Sequence, residues 1–73
     1  MIKEFYFTIS LTSEEFLPYY HGHFDSIQVV TTQGIKVRFP AMHLRKFVTM
    51  TGIHGKFLLI TENNKFKSMT KLS

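Results

Sequence analysis

The sequence predicts a small α+β domain: a five-stranded antiparallel, barrel-like sheet with one short helix and one helical turn, in the order β-α-β-β-α-β-β. Three observations carry this. Residues 3–11, KEFYFTISL, alternate apolar and polar side chains, the period of a half-buried strand. The next residues, TSEE, have the pattern of a helix capping box. Two further pairs of alternating runs flank turn residues, as hairpins do.

Taken in order, Phe5, Phe7, Ile9 and Leu11 point one way, and Glu4, Tyr6, Thr8 and Ser10 the other. Thr12 and Glu15 can satisfy each other's backbone N–H groups, and Leu11 and Phe16 have the spacing of a hydrophobic staple. A helix is therefore expected from Ser13 to about Tyr20, with Phe16, Tyr19 and Tyr20 on one stripe. Pro18 offers no N–H to the Glu14 carbonyl and should shorten, tighten or kink it. Gly22 fits the position just past the helix end.

Ser26 to Thr31 reads as the second strand, with Ile27, Val29 and Thr31 on one face. Thr32-Gln33-Gly34 is a turn, and Ile35, Val37 and Phe39 continue on a third strand with Lys36 and Arg38 opposite. Pro40 suits the start of a helical turn, along which Ala41, Leu44, Phe47 and Val48 recur at helical spacing. Thr49 to Gly55 is expected to be a loop. Phe57 to Ile60 is apolar on both faces and so central, and Glu62-Asn63-Asn64-Lys65 is a tight turn. Phe66 to Leu72 is the last strand. Phe66 and Met69 are three apart, which a β-bulge would reconcile.

The chain has 73 residues, 44% hydrophobic, with eight Phe, three Tyr and no Cys. That is one domain, residues 1–73, with a small core in which most Phe belong. Disulfides, thiol chemistry and cysteine-bound metal are excluded. The N-terminus, MIKEFYFTIS, lacks a signal-peptide h-region. No apolar run approaches the ~20 residues of a membrane helix. A soluble cytoplasmic protein without a membrane role is expected.

Several residues also resemble a known family. They are Glu15-Phe16, Tyr20-x-Gly22, Gly34, Phe39-Pro40-Ala41, Leu44-Arg45, Phe47-Val48, Gly52-Ile53-His54-Gly55-Lys56-Phe57 and Phe66. Together they span nearly the whole chain. The pattern resembles the small bacterial family called domain of unknown function 2835. The chain departs from it at Met42 and Lys46, where members often carry Trp and Pro. The resemblance implies no activity, cofactor or site residue.

Candidate chemistry is sparse. His21-Gly22-His23 could present two imidazoles to one side, but a metal site needs three or four ligands, and no metal or other cofactor is expected. There is no nucleophile elbow and only five acidic residues, so no catalytic residues are assigned and an enzyme is not expected. Gly52-Ile53-His54-Gly55 has the length of a nucleic-acid clamp loop, but it precedes a strand and reads as turn geometry. The formal net charge of +4 permits attraction to a polyanion. Lys36, Arg38, Arg45, Lys46, His54 and Lys56 form the candidate ligand surface, with Tyr6, Tyr19, Tyr20 and Phe24 as possible base-stacking rings. Two partner classes follow. The doubly apolar strand Phe57–Ile60 favours a protein partner or self-association, as in a homodimer. The basic residues make single-stranded RNA or DNA the alternative.

Overall fold

The computed structural model describes all residues 1–73. Its elements are β1 (Ile2–Leu11), α1 (Ser13–Tyr20), β2 (Ser26–Val30), β3 (Lys36–Pro40), a 3₁₀ helix (Ala41–Phe47), β4 (Ile53–Glu62) and β5 (Lys65–Lys71). The expected order is thus realised. The five strands form two antiparallel sheets, β1-β4-β5 and β2-β3, which are not closed into a barrel. The free edge of β1 meets the β2–β3 hairpin through one backbone hydrogen bond, from the Thr32 N–H to the Tyr6 carbonyl (2.8 Å). On one side of that bond a groove separates β1 from β3, and on the other a smaller one separates β1 from β2. The hairpin forms a sheet of its own rather than extending the three-stranded one.

Alternation along β1 works as expected: Phe7 and Ile9 are buried, Phe5 and Leu11 half-buried, and the intervening residues exposed. β4 is the central strand, paired with β1 from Leu11↔Ile53 to Ile2↔Glu62. Phe57 and Leu59 turn into the core, and Leu58 and Ile60 form the half-buried middle of the outer face. The β4–β5 hairpin turns at Asn63 and Asn64, both left-handed with φ of 53° and 67°, as a two-residue hairpin loop requires. A register shift between Ile60 and Thr61 makes Lys67 the extra residue. The shift puts Phe66 on the same side of the sheet as Met69, as the bulge argument anticipates, though Met69 is buried and Phe66 remains exposed.

Thr12 caps α1. Its hydroxyl accepts from the Glu15 N–H at 3.1 Å, and its own N–H donates to Glu15 Oε1 at 2.9 Å. The helix runs through Pro18 to Tyr20 without a break. Pro18 is only the sixth helical residue, so the carbonyl it leaves without a partner belongs to exposed Glu14 near the helix start. The helix ends in a Schellman motif: His23 N–H bonds to the Pro18 carbonyl, Gly22 N–H to that of Tyr19, and Gly22 has φ of 81°. The expected stripe is only partly right. Phe16 is buried and Tyr19 half-buried, but Tyr20 points outward, held there by an arginine from another element.

The core joins both sheets and both helical segments. Phe7 lies between Phe39 and Phe57, with ring centroids 5.7 and 5.9 Å away. Phe47 meets Phe57 edge-on at 5.2 Å. Leu44, Ile53, Phe16 and Ala41 complete the packing. Of the eight Phe, Phe24 and Phe66 are the exposed ones. Thr31 ends the β2 run buried, and its hydroxyl accepts from the Ile35 N–H at 3.2 Å. The loop before β4 is shorter than expected, because β4 already begins at Ile53 and Gly55 lies within it. Gly52 closes the loop, pairing with Thr49 in an isolated bridge.

Candidate functional site

The six cationic candidates do not converge. Lys36 and Arg38 project from the outer face of β3 and line the groove facing Lys3, Glu4 and Phe5 of β1. Arg45 leaves the 3₁₀ helix in the other direction. One guanidinium N–H donates to the Tyr20 carbonyl at 2.9 Å, and the group sits 5.2 Å from the Tyr20 ring centroid. The last turn of α1 has no basic residue of its own. Arg45 supplies the positive charge that a helix C-terminus favours, which makes it partly structural. Lys46 lies 5.2 Å from its neighbour's ring, Phe47.

His54 and Lys56 are on a different surface, the outer face of the three-stranded sheet. His54 is anchored there: Nε2 donates to the Thr51 carbonyl at 2.9 Å, leaving Nδ1 to accept from the Ser10 hydroxyl at 3.2 Å. No groove is lined by more than two of the six. A single basic patch is therefore replaced by separate surfaces.

The outer sheet face has an internal order that the chain's linear charge pattern hides. Cross-strand partners share a face, so Glu4 stands beside Ile60, Tyr6 beside Leu58, Thr8 beside Lys56 and Ser10 beside His54. β5 adds Ser68 beside Ile60 and Thr70 beside Leu58. The centre is apolar, built on Tyr6, Leu58 and Ile60. One end carries Glu4 and Glu62, the other Lys56 and His54. Glu62 is engaged by Lys67 at 3.5 Å; Glu4 and Lys56 have no ion-pair partner within the chain. Alternation places Glu4 and Tyr6 outward, but only the β1–β4 register makes them neighbours of Ile60 and Leu58.

Around the end of α1 lies a second group. Phe24 is 57% exposed, with the Tyr19 ring 5.5 Å away and tilted 52°. It is a shared wall of two clefts, one containing Arg38 and the other Arg45. His21 and His23 stand nearby with ring centroids 6.3 Å apart. Nowhere do three or more His, Asp or Glu side chains come together as metal ligands would.

His43 carries a property that its sequence position does not advertise. Its ring stacks flat on Phe66, with centroids 3.6 Å apart and planes within 1°. Burial, and then the Lys46 ammonium, hold its imidazole below the ordinary value of 6.5. The folded chain thus takes up this proton at lower pH than the unfolded chain does. The resulting stabilisation is complete above pH 6.5 and declines as pH falls below it, until the folded-state value is passed. The His43 ring protons should titrate by NMR with a midpoint under 6.5. Between pH 7 and 5 the melting temperature of His43→Phe should fall less than that of the parent. A midpoint at or above 6.5 would contradict the stacked, desolvated ring.

No helix of this fold is long and apolar enough to cross a membrane. Neither the curated proteins nor the solved structures contain a significant match to the chain. The family described as "Protein of unknown function (DUF2835)" matches residues 3–72. That range runs from the first residues of β1 past the end of β5. It takes in the capping box, both hairpins and the Gly52–Gly55 approach to the central strand, and the chain belongs to that DUF2835 family.

Proposed function

We propose that this domain is a noncatalytic association module that pairs with a second copy of itself through the outer face of the three-stranded sheet. The observation that carries the proposal is the charge order of that face about its apolar centre. Consider a two-fold axis lying in the interface, perpendicular to the strands at the level of Tyr6 and Leu58. It sets Tyr6 and Leu58 against their own counterparts. Because Glu4 and Lys56 lie equal distances either side of that level, it also brings each Glu4 next to the Lys56 of the other copy. An axis parallel to the strands would oppose like charges instead. Self-complementarity of this kind is what a two-fold dimer needs.

Size sets the expected strength. Two ten-residue strands and one of seven, at about 3.3 Å per residue and about 4.8 Å between strands, give a footprint of roughly 430 Å². That is near the lower limit for a specific interface. Dimerisation in the micromolar range is therefore expected, driven by Tyr6 and Leu58 and oriented by the Glu4–Lys56 pairs.

Sedimentation equilibrium between about 5 and 500 μM, a span set by that interface size, tests this. Leu58→Glu should give a monomer throughout. Glu4→Lys and Lys56→Glu should each raise the dissociation constant about tenfold, and the double swap should bring it back toward the parent value. A monomeric parent at the highest concentration, or a double swap no better than the singles, would end this reading.

A further inference from the structure

The surface around Phe24 lies apart from the sheet face and has a different chemistry. Fold packing does not account for it. Six of the eight Phe are buried or half-buried, whereas Phe24 keeps 57% of its surface in solvent. The Schellman turn at Gly22 and a hydrogen bond from its own N–H to the Pro18 carbonyl (3.4 Å) hold the backbone that presents the ring. Tyr19 backs it at 5.5 Å.

The cleft on one side of the ring has a volume of about 490 Å³ and contains Ser26, Gln28 and Arg38. Gln28 and Arg38 are cross-strand partners, so an amide and a guanidinium stand side by side beyond the ring. The cleft on the other side, about 250 Å³, ends at Arg45. Arg45 spends one N–H on the Tyr20 carbonyl, and a guanidinium has five donors. Asp25 lines both clefts. It would repel a phosphate close to the ring but can accept from the exocyclic amine of a base.

We propose that this surface binds single-stranded nucleic acid, with one base stacked on Phe24, its edge toward Gln28 and Asp25, and flanking phosphates on Arg38 and Arg45. A planar ring with hydrogen-bonding groups at its rim and a cation on each side fits an unpaired nucleotide. A duplex hides the base faces that such a platform reads. The net charge of +4 favours the encounter.

The test is fluorescence anisotropy with an end-labelled, unstructured ten-nucleotide RNA of mixed sequence and the matching DNA, at 25 and 150 mM NaCl. Two phosphate contacts on a single strand predict binding about tenfold weaker at the higher salt. Phe24→Ala should weaken binding by about tenfold or more. Arg38→Gln should weaken it and flatten the salt dependence. The charge control Lys65→Gln, at the tip of the β4–β5 hairpin, should stay within about twofold of the parent, as the loss of one distant charge implies. Amide NMR spectra of the variants verify that they are folded. Tighter binding of RNA than DNA adds a 2′-hydroxyl contact to the site; equal binding restricts recognition to base and phosphate. No binding at 25 mM NaCl overturns the proposal. So does a loss in Phe24→Ala and Arg38→Gln no greater than in Lys65→Gln, which would mean diffuse charge attraction only.

Discussion

Replacing Gly52 with Ala is expected to remove about half of the chain's folding stability. The residue has φ of 112°, a conformation that L side chains rarely adopt. A methyl group added there would collide with the backbone where β1 hands over to α1. It would meet the Leu11 carbonyl oxygen, and lie 2.6 Å from the Thr12 carbonyl carbon and 2.8 Å from the Ser13 nitrogen. Neither side can yield cheaply, since Thr12 is fixed by the capping box and Ile53 is fully buried. Backbone strain of about 1–3 kcal/mol and overpacking of about 1–3 kcal/mol act together. A domain of this length has only about 4–11 kcal/mol in all. Gly34 provides the comparison: its φ is 81°, but nothing lies within 4 Å of an added Cβ. Gly34→Ala should cost about 1 kcal/mol. Urea denaturation of the two variants checks the contrast; equal costs would mean that strain alone, without the backbone contact, matters at Gly52.

Phe57→Ala should be as damaging for the opposite reason. Its side chain is 0% exposed and touches Phe7 from the sheet and Phe47 from the 3₁₀ helix. Truncation removes the ring on which two layers meet and leaves a cavity that the central strand cannot close, costing about 3–5 kcal/mol. Phe57→Leu, which refills most of the volume, should recover more than half of that loss. Thermal unfolding by circular dichroism distinguishes the three proteins. A parent-like Phe57→Ala curve would show that the core is organised around some other residue.

Much of this fold is legible in the sequence wherever a local rule decides the outcome. Thr12 and Glu15 cap a helix by their spacing alone. Asn63 and Asn64 suit a left-handed turn by residue type. The three-residue interval between Phe66 and Met69 announces a bulge, and β-strand alternation sorts Phe7 and Ile9 from Tyr6 and Thr8. What stays hidden depends on which elements meet. Whether the sheet closes is decided where the free edge of β1, at Tyr6, meets a hairpin at Thr32, 26 residues on in sequence, and local periodicity says nothing about that. Tyr20 has core spacing but turns outward, where its ring lies against the Arg45 guanidinium. Gly55 reads as loop, yet it lies in β4 opposite Ile9.

The candidate surface shows the same division. Arg38 is correctly outward from β3, and Lys56 is correctly beside an apolar strand. Proximity in sequence nevertheless misleads: Arg45 and Lys56 are eleven positions apart but serve different faces, since a 3₁₀ helix and a turn intervene. Glu4, excluded when cations alone are counted, becomes the counterpart of Lys56 once the register is known. Phe24 and Arg38, fourteen positions apart, share a cleft because β2 and β3 form a hairpin.

The pairing of β1 with β4 also dictates an order of events during synthesis. Ile2 finds its partner in Glu62 and Leu11 in Ile53, so β1 has no ladder until β4 has been made. At about 5–20 residues per second, its Phe5, Phe7 and Ile9 wait several seconds without their sheet. The β2–β3 hairpin can close locally in the meantime, and the late docking of β1 makes assembly slow. The nascent protein therefore passes through an interval in which the apolar face of β1 is already made while the strand that pairs with it is not.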